Sequence, residues 1–344
     1  MYDIAREAKV SVATVSRVLN GTAPVKDSTR ERINKIIEKY QFQPNALARS
    51  LLKKKTGMIG MILPNIHNPF FPEVFAGAEE EARRIGSTLF LGDSMGDHER
   101  ESEYLSAMRE KQVDGILFMG GRINLQRCDA QLQREIIELS ERIPVVLING
   151  NLPKGRLPRV YTDEYAAAVM ATRHLIELGH RRIGFLGGMA RFATTTVKIR
   201  AYRKTIKEHG LIADDRWILL DDFSIESGKK LMNRLLQLKE RPTAIICIND
   251  FTAIGALKVA LEHGLRIPED MSIVGFDDTL LATAVTPELT TVTQNAVELG
   301  RSAVRLLQQL IDKGPRVKKQ IVLNPKLIVR QTTGPVGSTA AEPL

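Results

Sequence analysis

From residue 58 onward the chain alternates short apolar runs with longer amphipathic stretches, and no other feature limits the fold as strongly. The runs fall at 58–63, 88–91, 115–119, 145–148, 183–186, 217–220, 244–248 and 272–276, their starts mostly 26 to 35 residues apart. Between them, 73–84, 99–111, 164–178, 227–238 and 251–263 carry apolar residues at helical spacing. Continuous apolar strands separated by amphipathic helices make βα units, whose strands pair in parallel and are covered by helices on both faces. The expected fold class is α/β, with room for two doubly wound parallel sheets.

Ligands of such sheets bind beyond the carboxyl ends of the strands. Just after the runs stand Pro64-Asn65, Asp93, Gly120-Gly121, Asn149, Asp163, Gly187-Gly188, Asp221-Asp222, Asn249-Asp250 and Asp277-Asp278. Amides and carboxylates both exchange hydrogen bonds with hydroxyl groups, so this rim suits a hydroxyl-rich ligand. For Asp93, Asp221 and Asp278 a helix N-cap is the preferred reading. The glycine pairs read as loop turns, because neither GxGxxG nor GxxxxGK[ST] occurs. An enzyme on this core would show a nucleophile beside a base, a metal cluster or a phosphate loop. None is visible, and His67, His98, His174, His180, His209 and His263 are scattered singly. No cofactor and no metal are expected.

The 344 residues exceed one ordinary domain, and charge divides them. Of a net charge of +9, residues 1–57 hold +7, from seven Lys and five Arg against two Asp and three Glu. A basic head on a near-neutral body is the footprint of a nucleic-acid-binding module. Within the head, residues 3–8 are helical in pattern, and Ser11 is a good N-cap for a second helix ending near Asn20-Gly21. At 100° per residue Val12, Ala13, Ser16, Arg17 and Asn20 share one face, and Val15, Val18 and Leu19 share another. A third helix over 27–40 supplies Ile33, Ile36, Ile37 and Tyr40 to close a small core. The small-residue face lets a backbone approach a major groove, and Arg17 can fork onto guanine. Asn45 can cap a helix of about two turns, too short to be stable alone, beside the run Lys53-Lys54-Lys55 that suits a DNA backbone.

Cys128 and Cys247 stand alone, so no disulfide framework or zinc cluster is expected, and a reducing cytoplasm is the natural home. The first residues form no apolar leader, and no apolar run approaches the ~20 residues of a membrane span. Asn20-Gly21-Thr22 matches the glycosylation triplet but reads better as a helix stop.

Residues 3–8, 10–20, 29–33 and 44–51 closely resemble the head of the lactose repressor (LacI/GalR) family of bacterial transcription regulators. The resemblance continues to about Gly334 through Asn68-Pro69-Phe70-Phe71, residues 178–185, 242–245 and 253–256, Asn249-Asp250 and residues 272–278. It implies a helix-turn-helix domain over 1–44, a hinge helix and linker over 45–57, and an effector-binding and dimerisation domain over 58–334. That domain would be similar to periplasmic sugar-binding proteins, with one subdomain from 58–159 and 290–322 and another from 160–289 and 323–334. The chain would cross between them near Val160, Leu289 and Leu323. Residues 335–344 are expected to be a disordered tail, without the heptad leucines of a tetramerising coil.

By the same resemblance Val12, Ala13 and Arg17 would read bases, Thr14, Ser16 and Asn20 would hold phosphates, and Leu51 would wedge into the minor groove with Ala48 and Asn45 beside it. Phe70 or Phe71 would stack on the effector opposite Phe223, and Asn249 and Asp277 would bond it, with Asp163 nearby; Asn65 and Asn149, polar residues just after their apolar runs, are further effector-binding candidates. His180 would be structural. Lys26 stands where a capping Ser is usual, Asn149 and Gly150 where Asp and Arg are frequent, and Glu164 where Asn is frequent. Lys198 falls where an arginine usually grips the effector, a point charge in place of a fork. Retaining that cation while losing an anion at Asn149 favours a sugar acid or sugar phosphate. The implied function is a homodimeric repressor that reads a pseudopalindromic operator in double-stranded DNA under control of a small-molecule effector. The alternatives are a soluble sugar-binding sensor, which the basic head argues against, and a regulator controlled by a protein corepressor.

Overall fold

A computed structural model describes residues 1–20, 23–41, 55–152, 156–314 and 319–337, with the backbone alone at Asn20. The chain forms two compact units, Met1–Gly57 and Met58–Leu344.

In the head, α1 (Tyr2–Glu7), α2 (Val12–Asn20) and α3 (Asp27–Lys39) enclose Ile4, Ala5, Ala8, Val15, Ile33 and Ile36. Ser11 caps α2 as its sequence suggests, its Oγ accepting from the Thr14 amide at 3.2 Å. Lys26 makes no side-chain cap bond, yet α3 begins directly after it. Glu7 fastens α1 to the end of α3 by accepting from Lys39 Nζ at 2.7 Å and from the Tyr40 hydroxyl at 2.6 Å.

The body holds two six-stranded sheets. The first contains β1 (Met58–Leu63), β2 (Thr88–Asp93), β3 (Gly115–Met119), β4 (Val145–Ile148), β5 (Arg159–Thr162) and β11 (Gln320–Leu323). The second contains β6 (Ile183–Leu186), β7 (Ile218–Leu219), β8 (Ala244–Cys247), β9 (Ser272–Asp277), β10 (Thr290–Thr293) and β12 (Lys326–Ile328). Their orders, β11-β5-β4-β3-β1-β2 and β12-β10-β9-β8-β6-β7, are topologically equivalent. Every pairing is parallel except that of β12 with β10.

Helices α4 (Phe70–Arg84), α5 (His98–Glu110), α6 (Ala130–Ser140) and α12 (Ala296–Lys313) belong to the first lobe. Helices α7 (Glu164–Glu177), α8 (Ala193–Glu208), α9 (Ile225–Leu236), α10 (Asp250–Glu262) and the short α11 (Leu281–Ala284) belong to the second. In each lobe one helix pair approaches closely through glycine. A Cβ on Gly300 would lie 2.0 Å from the Val74 carbonyl oxygen between α12 and α4, and one on Gly255 2.0 Å from that of Ile225 between α10 and α9.

Several boundaries differ from expectation. The lobes exchange chain at Asp163 and at residues 324 and 325, close to Val160 and Leu323, but the middle crossover falls at residues 294 and 295 instead of near Leu289. The largest shift arises because Thr290–Thr293 pairs with β9 and β12 and so belongs to the second sheet. Residues 335–337 are held: the Val336 amide donates to the Leu178 carbonyl at 3.1 Å. The rest of the expected tail lies outside the described residues. Asp93, Asp221 and Asp278 do not cap helices, because loops separate them from the next helix. Asp97 and Ser224 cap α5 and α9, and α11 begins after Leu280 without a side-chain cap. Asp93 accepts from the Met95 amide at 3.1 Å, while Asp221 pairs with Lys230 and Asp278 with Arg330.

Candidate functional site

On α2 the side chains of Ala13 and Arg17 are exposed, those of Val12, Thr14 and Ser16 are half-buried, and Val15 anchors the helix in the core. Val12 also packs against that core, so it is part support and part surface. Thr14 Oγ1 lies 2.9 Å from Ser11 Oγ, which fixes its hydroxyl at the helix start. Asn45, Ala48 and Leu51 lie outside the described residues, as does the side chain of Asn20.

In the body, an open parallel sheet offers its crevice where the strand order reverses. In the second sheet that point lies between β6 and β8, beyond Leu186 and Cys247. Gly187 and Gly188 turn there with φ of 89° and 79°, and a Cβ on Gly188 would lie 2.6 Å from Thr195 Oγ1. Lys198, 3% exposed, reaches in from α8 and donates to the Ile248 carbonyl at 3.0 Å. Its Nζ lies 3.8 Å from Glu164 Oε1 and 4.2 Å from the centroid of Phe276. Glu164 also accepts from the Thr194 hydroxyl. Asn249 caps α10 through the Thr252 amide at 2.9 Å and donates to the Phe223 carbonyl at 3.0 Å. Phe223 meets Phe192 edge to face, with centroids 5.5 Å apart.

Asp277 closes the floor. It is buried, and its carboxylate accepts from Gln294 Nε2 at 2.5 Å. Burial pushes its carboxyl well above the usual range, against the pull of nearby Lys198. Asp250, below it, accepts from Thr291 Oγ1 at 2.6 Å and from the Thr279 amide at 2.8 Å, and burial pushes its carboxyl up to about 7. Across the crevice mouth, the first lobe sends residues 125 and 126 against residues 190–192. Leu125 bridges Phe192, the Gln126 amide donates to the Arg191 carbonyl at 2.9 Å, and Gln126 Nε2 donates to the Ala190 carbonyl at 3.0 Å.

Lys198, Phe223, Asn249 and Asp277 thus gather at one crevice. Asp163 stands at its edge as the N-cap of α7, accepting from the Ala166 amide at 2.9 Å. Asn149 is bound to Gln294 at 3.0 Å within the crossover. Three expected residues do not join the cluster. Phe70 is buried in the first lobe's core because the first turn of α4 points inward, and Phe71 packs edge to face on it at 5.4 Å. Asn65 is exposed and closes a turn by accepting from the His67 amide at 2.8 Å. His180 is structural, with Nδ1 2.9 Å from Thr243 Oγ1 and Nε2 3.0 Å from Ser272 Oγ. Burial lowers its pKa and keeps the ring neutral.

Sequence reasoning missed Phe192, Thr194 and Gln294 and gave Glu164 no role. Only the break after the Thr-rich segment 290–293 could have marked Gln294. Among the described residues no group of His, Cys, Asp and Glu is placed to hold a metal, and no helix is long and apolar enough to cross a membrane.

Known proteins show the same two parts. Residues 1–45 match the model of bacterial regulatory proteins of the lacI family, and residues 172–333 match the periplasmic binding protein-like domain. The chain is 35% identical over 338 residues to the HTH-type transcriptional regulator DegA of Bacillus subtilis (strain 168), covering 98% of this chain and 99% of that protein. It is 37% identical over 335 residues to catabolite control protein A of Priestia megaterium, covering 97% and 98%. Among solved structures, the transcriptional regulator CelR in complex with cellobiose superposes with a TM-score of 0.71 at 28% identity, covering 96% of this chain and 98% of that one. The chain belongs to the lacI family and is a transcriptional regulator.

Proposed function

We propose that the protein is a repressor that reads a pseudopalindromic operator as a homodimer and is controlled by a neutral, polyhydroxylated small molecule bound between the lobes. The charge balance of the crevice carries the choice of ligand. Lys198 is matched by Glu164 at 3.8 Å, and Asp277 is held toward its neutral form by burial. An acidic ligand would have to displace Glu164 or face it, at a cost that grows as the site closes and water leaves. A sugar hydroxyl meets matched donors and acceptors on Asn249, Asp277, Glu164 and Thr194, and the ring pair Phe192 and Phe223 offers an apolar wall. This reverses the preference for a sugar acid that Lys198 suggests when read alone.

In the head, exposed Ala13 and Arg17 with Val12 read bases, while Thr14, Ser16 and Asn20 hold phosphates. Asn45, Ala48 and Leu51 take the minor-groove role. Selection of full-length protein on randomised DNA should return a symmetric motif. Arg17→Ala should then cost about 1 to 3 kcal/mol and relax one base position in each half-site. Equal weakening on every DNA would make Arg17 a phosphate contact, and a motif without symmetry would overturn the dimeric reading.

A further inference from the structure

Asp277 is joined to the opposite lobe through the side chain of Gln294. Gln294, 5% exposed, stands in the crossover between β10 and α12. Its Nε2 donates to Asp277 Oδ1 at 2.5 Å, its Oε1 accepts from Asn149 Nδ2 at 3.0 Å, and its main-chain oxygen accepts from Thr162 Oγ1 at 2.7 Å. Asn149 Oδ1 in turn accepts from the Thr162 amide at 2.9 Å. Asn149 follows β4 and Thr162 ends β5, both in the first lobe, whereas Asp277 ends β9 in the second. Asn149 holds φ of 48°, which asparagine tolerates, and Asp277 holds φ of 108°, outside the left-handed helical well.

We infer that Gln294 is the positioning residue that couples occupancy of Asp277 to the placement of the first lobe's strand ends, an inference that rests on the ligand reading above. A primary amide is planar and rigid, so its two ends cannot respond separately. A ligand hydroxyl bonded to Asp277 alters the carboxyl that Nε2 holds, and the same amide carries the change to Asn149 through Oε1. Bonds that share one group in this way polarise each other. Main-chain anchoring by Thr162 keeps the pivot in place while the side chain shifts.

A cycle on melting temperature in the ligand-free, full-length protein tests the connection. Asn149→Ala and Asp277→Asn alter residues that share no bond, and unlinked sites add. With Gln294 present, the double variant should depart from the sum of the single shifts by about 2 to 4 °C. With Gln294→Leu the departure should fall below about 1 °C, and an equal departure in both backgrounds would overturn the coupling. Gln294→Met serves if the leucine variant is too unstable to score.

A second arm uses cellobiose as the probe. If it shifts wild-type melting and changes operator affinity about 5-fold or more, Gln294→Leu should keep the melting shift and respond less than about 2-fold on operator. A full operator response in that variant would overturn the inference. A wild-type protein indifferent to cellobiose would count against the ligand reading for this sugar, and the melting cycle would still decide the role of Gln294.

Discussion

The two lobes of the body share one strand order, and the residues at their switch points differ in chemistry. In the first lobe, Gly120 beyond β3 turns with φ 74°, and a Cβ on it would lie 2.3 Å from the ring of Pro64, which follows β1. In the second, the corresponding crevice between β6 and β8 is lined by Lys198, Asn249 and Asp277. Their buried charges differ in the same sense. Arg122, fully buried, spends its guanidinium on Glu101 at 2.6 Å, Glu135 at 2.5 Å, Ser102 and the His98 carbonyl. That closed network fixes the turn Gly121–Asn124, just before the residues that meet Phe192. Under the proposed function, equivalent topology supports a lobe that holds position and a lobe that binds.

Three substitutions test that division. Arg122→Met should be the most damaging, because it leaves Glu101 buried without its partner, at about 3 to 5 kcal/mol in urea unfolding. A loss under about 1 kcal/mol would show that the network does not hold the first lobe. Phe70→Ala should cost a comparable ~3 to 5 kcal/mol as a core cavity and leave ligand affinity nearly unchanged. Phe223→Ala should behave inversely, weakening ligand binding by about 1 to 2 kcal/mol with less effect on melting. Equal profiles for the two phenylalanines would erase the distinction between the lobes.

The last effect is one of pH. Asp250 titrates near 7 in the folded chain, above the ordinary 3.8, because it is buried. Between those values the folded protein holds a proton that the unfolded chain has released, so stability should fall as pH rises from about 4 to about 7 and level off beyond. Asp250→Asn should show a shallower slope in melting temperature, the remainder coming from Asp277, whose carboxyl burial also raises, and parallel profiles would show that Asp250 does not titrate in this range.

Legibility in the sequence followed local physics. The eight apolar runs each appear as strands within a residue or two at most ends, because the central parallel strands are buried on both faces and must be continuously apolar, while β2 and β7 are partly exposed edge strands. β5, β10, β11 and β12 were not legible: they are short, and the segments Thr290–Thr293 and Gln320–Leu323 carry polar residues near sheet edges. Asn249 and Asp277 were visible as polar residues ending such runs. Phe70 looked like a ligand contact, yet which side of α4 it occupies depends on packing that no local pattern records. Gln294 was invisible because its role lies in three contacts to residues distant in sequence.

The central claim, that the second lobe's crevice takes a neutral polyhydroxylated ligand, is tested most directly by melting-temperature shifts. The full-length protein would be screened against neutral sugars, sugar acids, sugar phosphates and nucleobases. A ligand at 100 times its Kd stabilises by about 2.7 kcal/mol, or roughly 5 to 10 °C for a body of this size. The account predicts a shift with a neutral sugar that Phe223→Ala reduces. A shift confined to acids or phosphates would contradict it and return Lys198 to the role of anion grip, and no shift with any class would contradict it in favour of a protein corepressor.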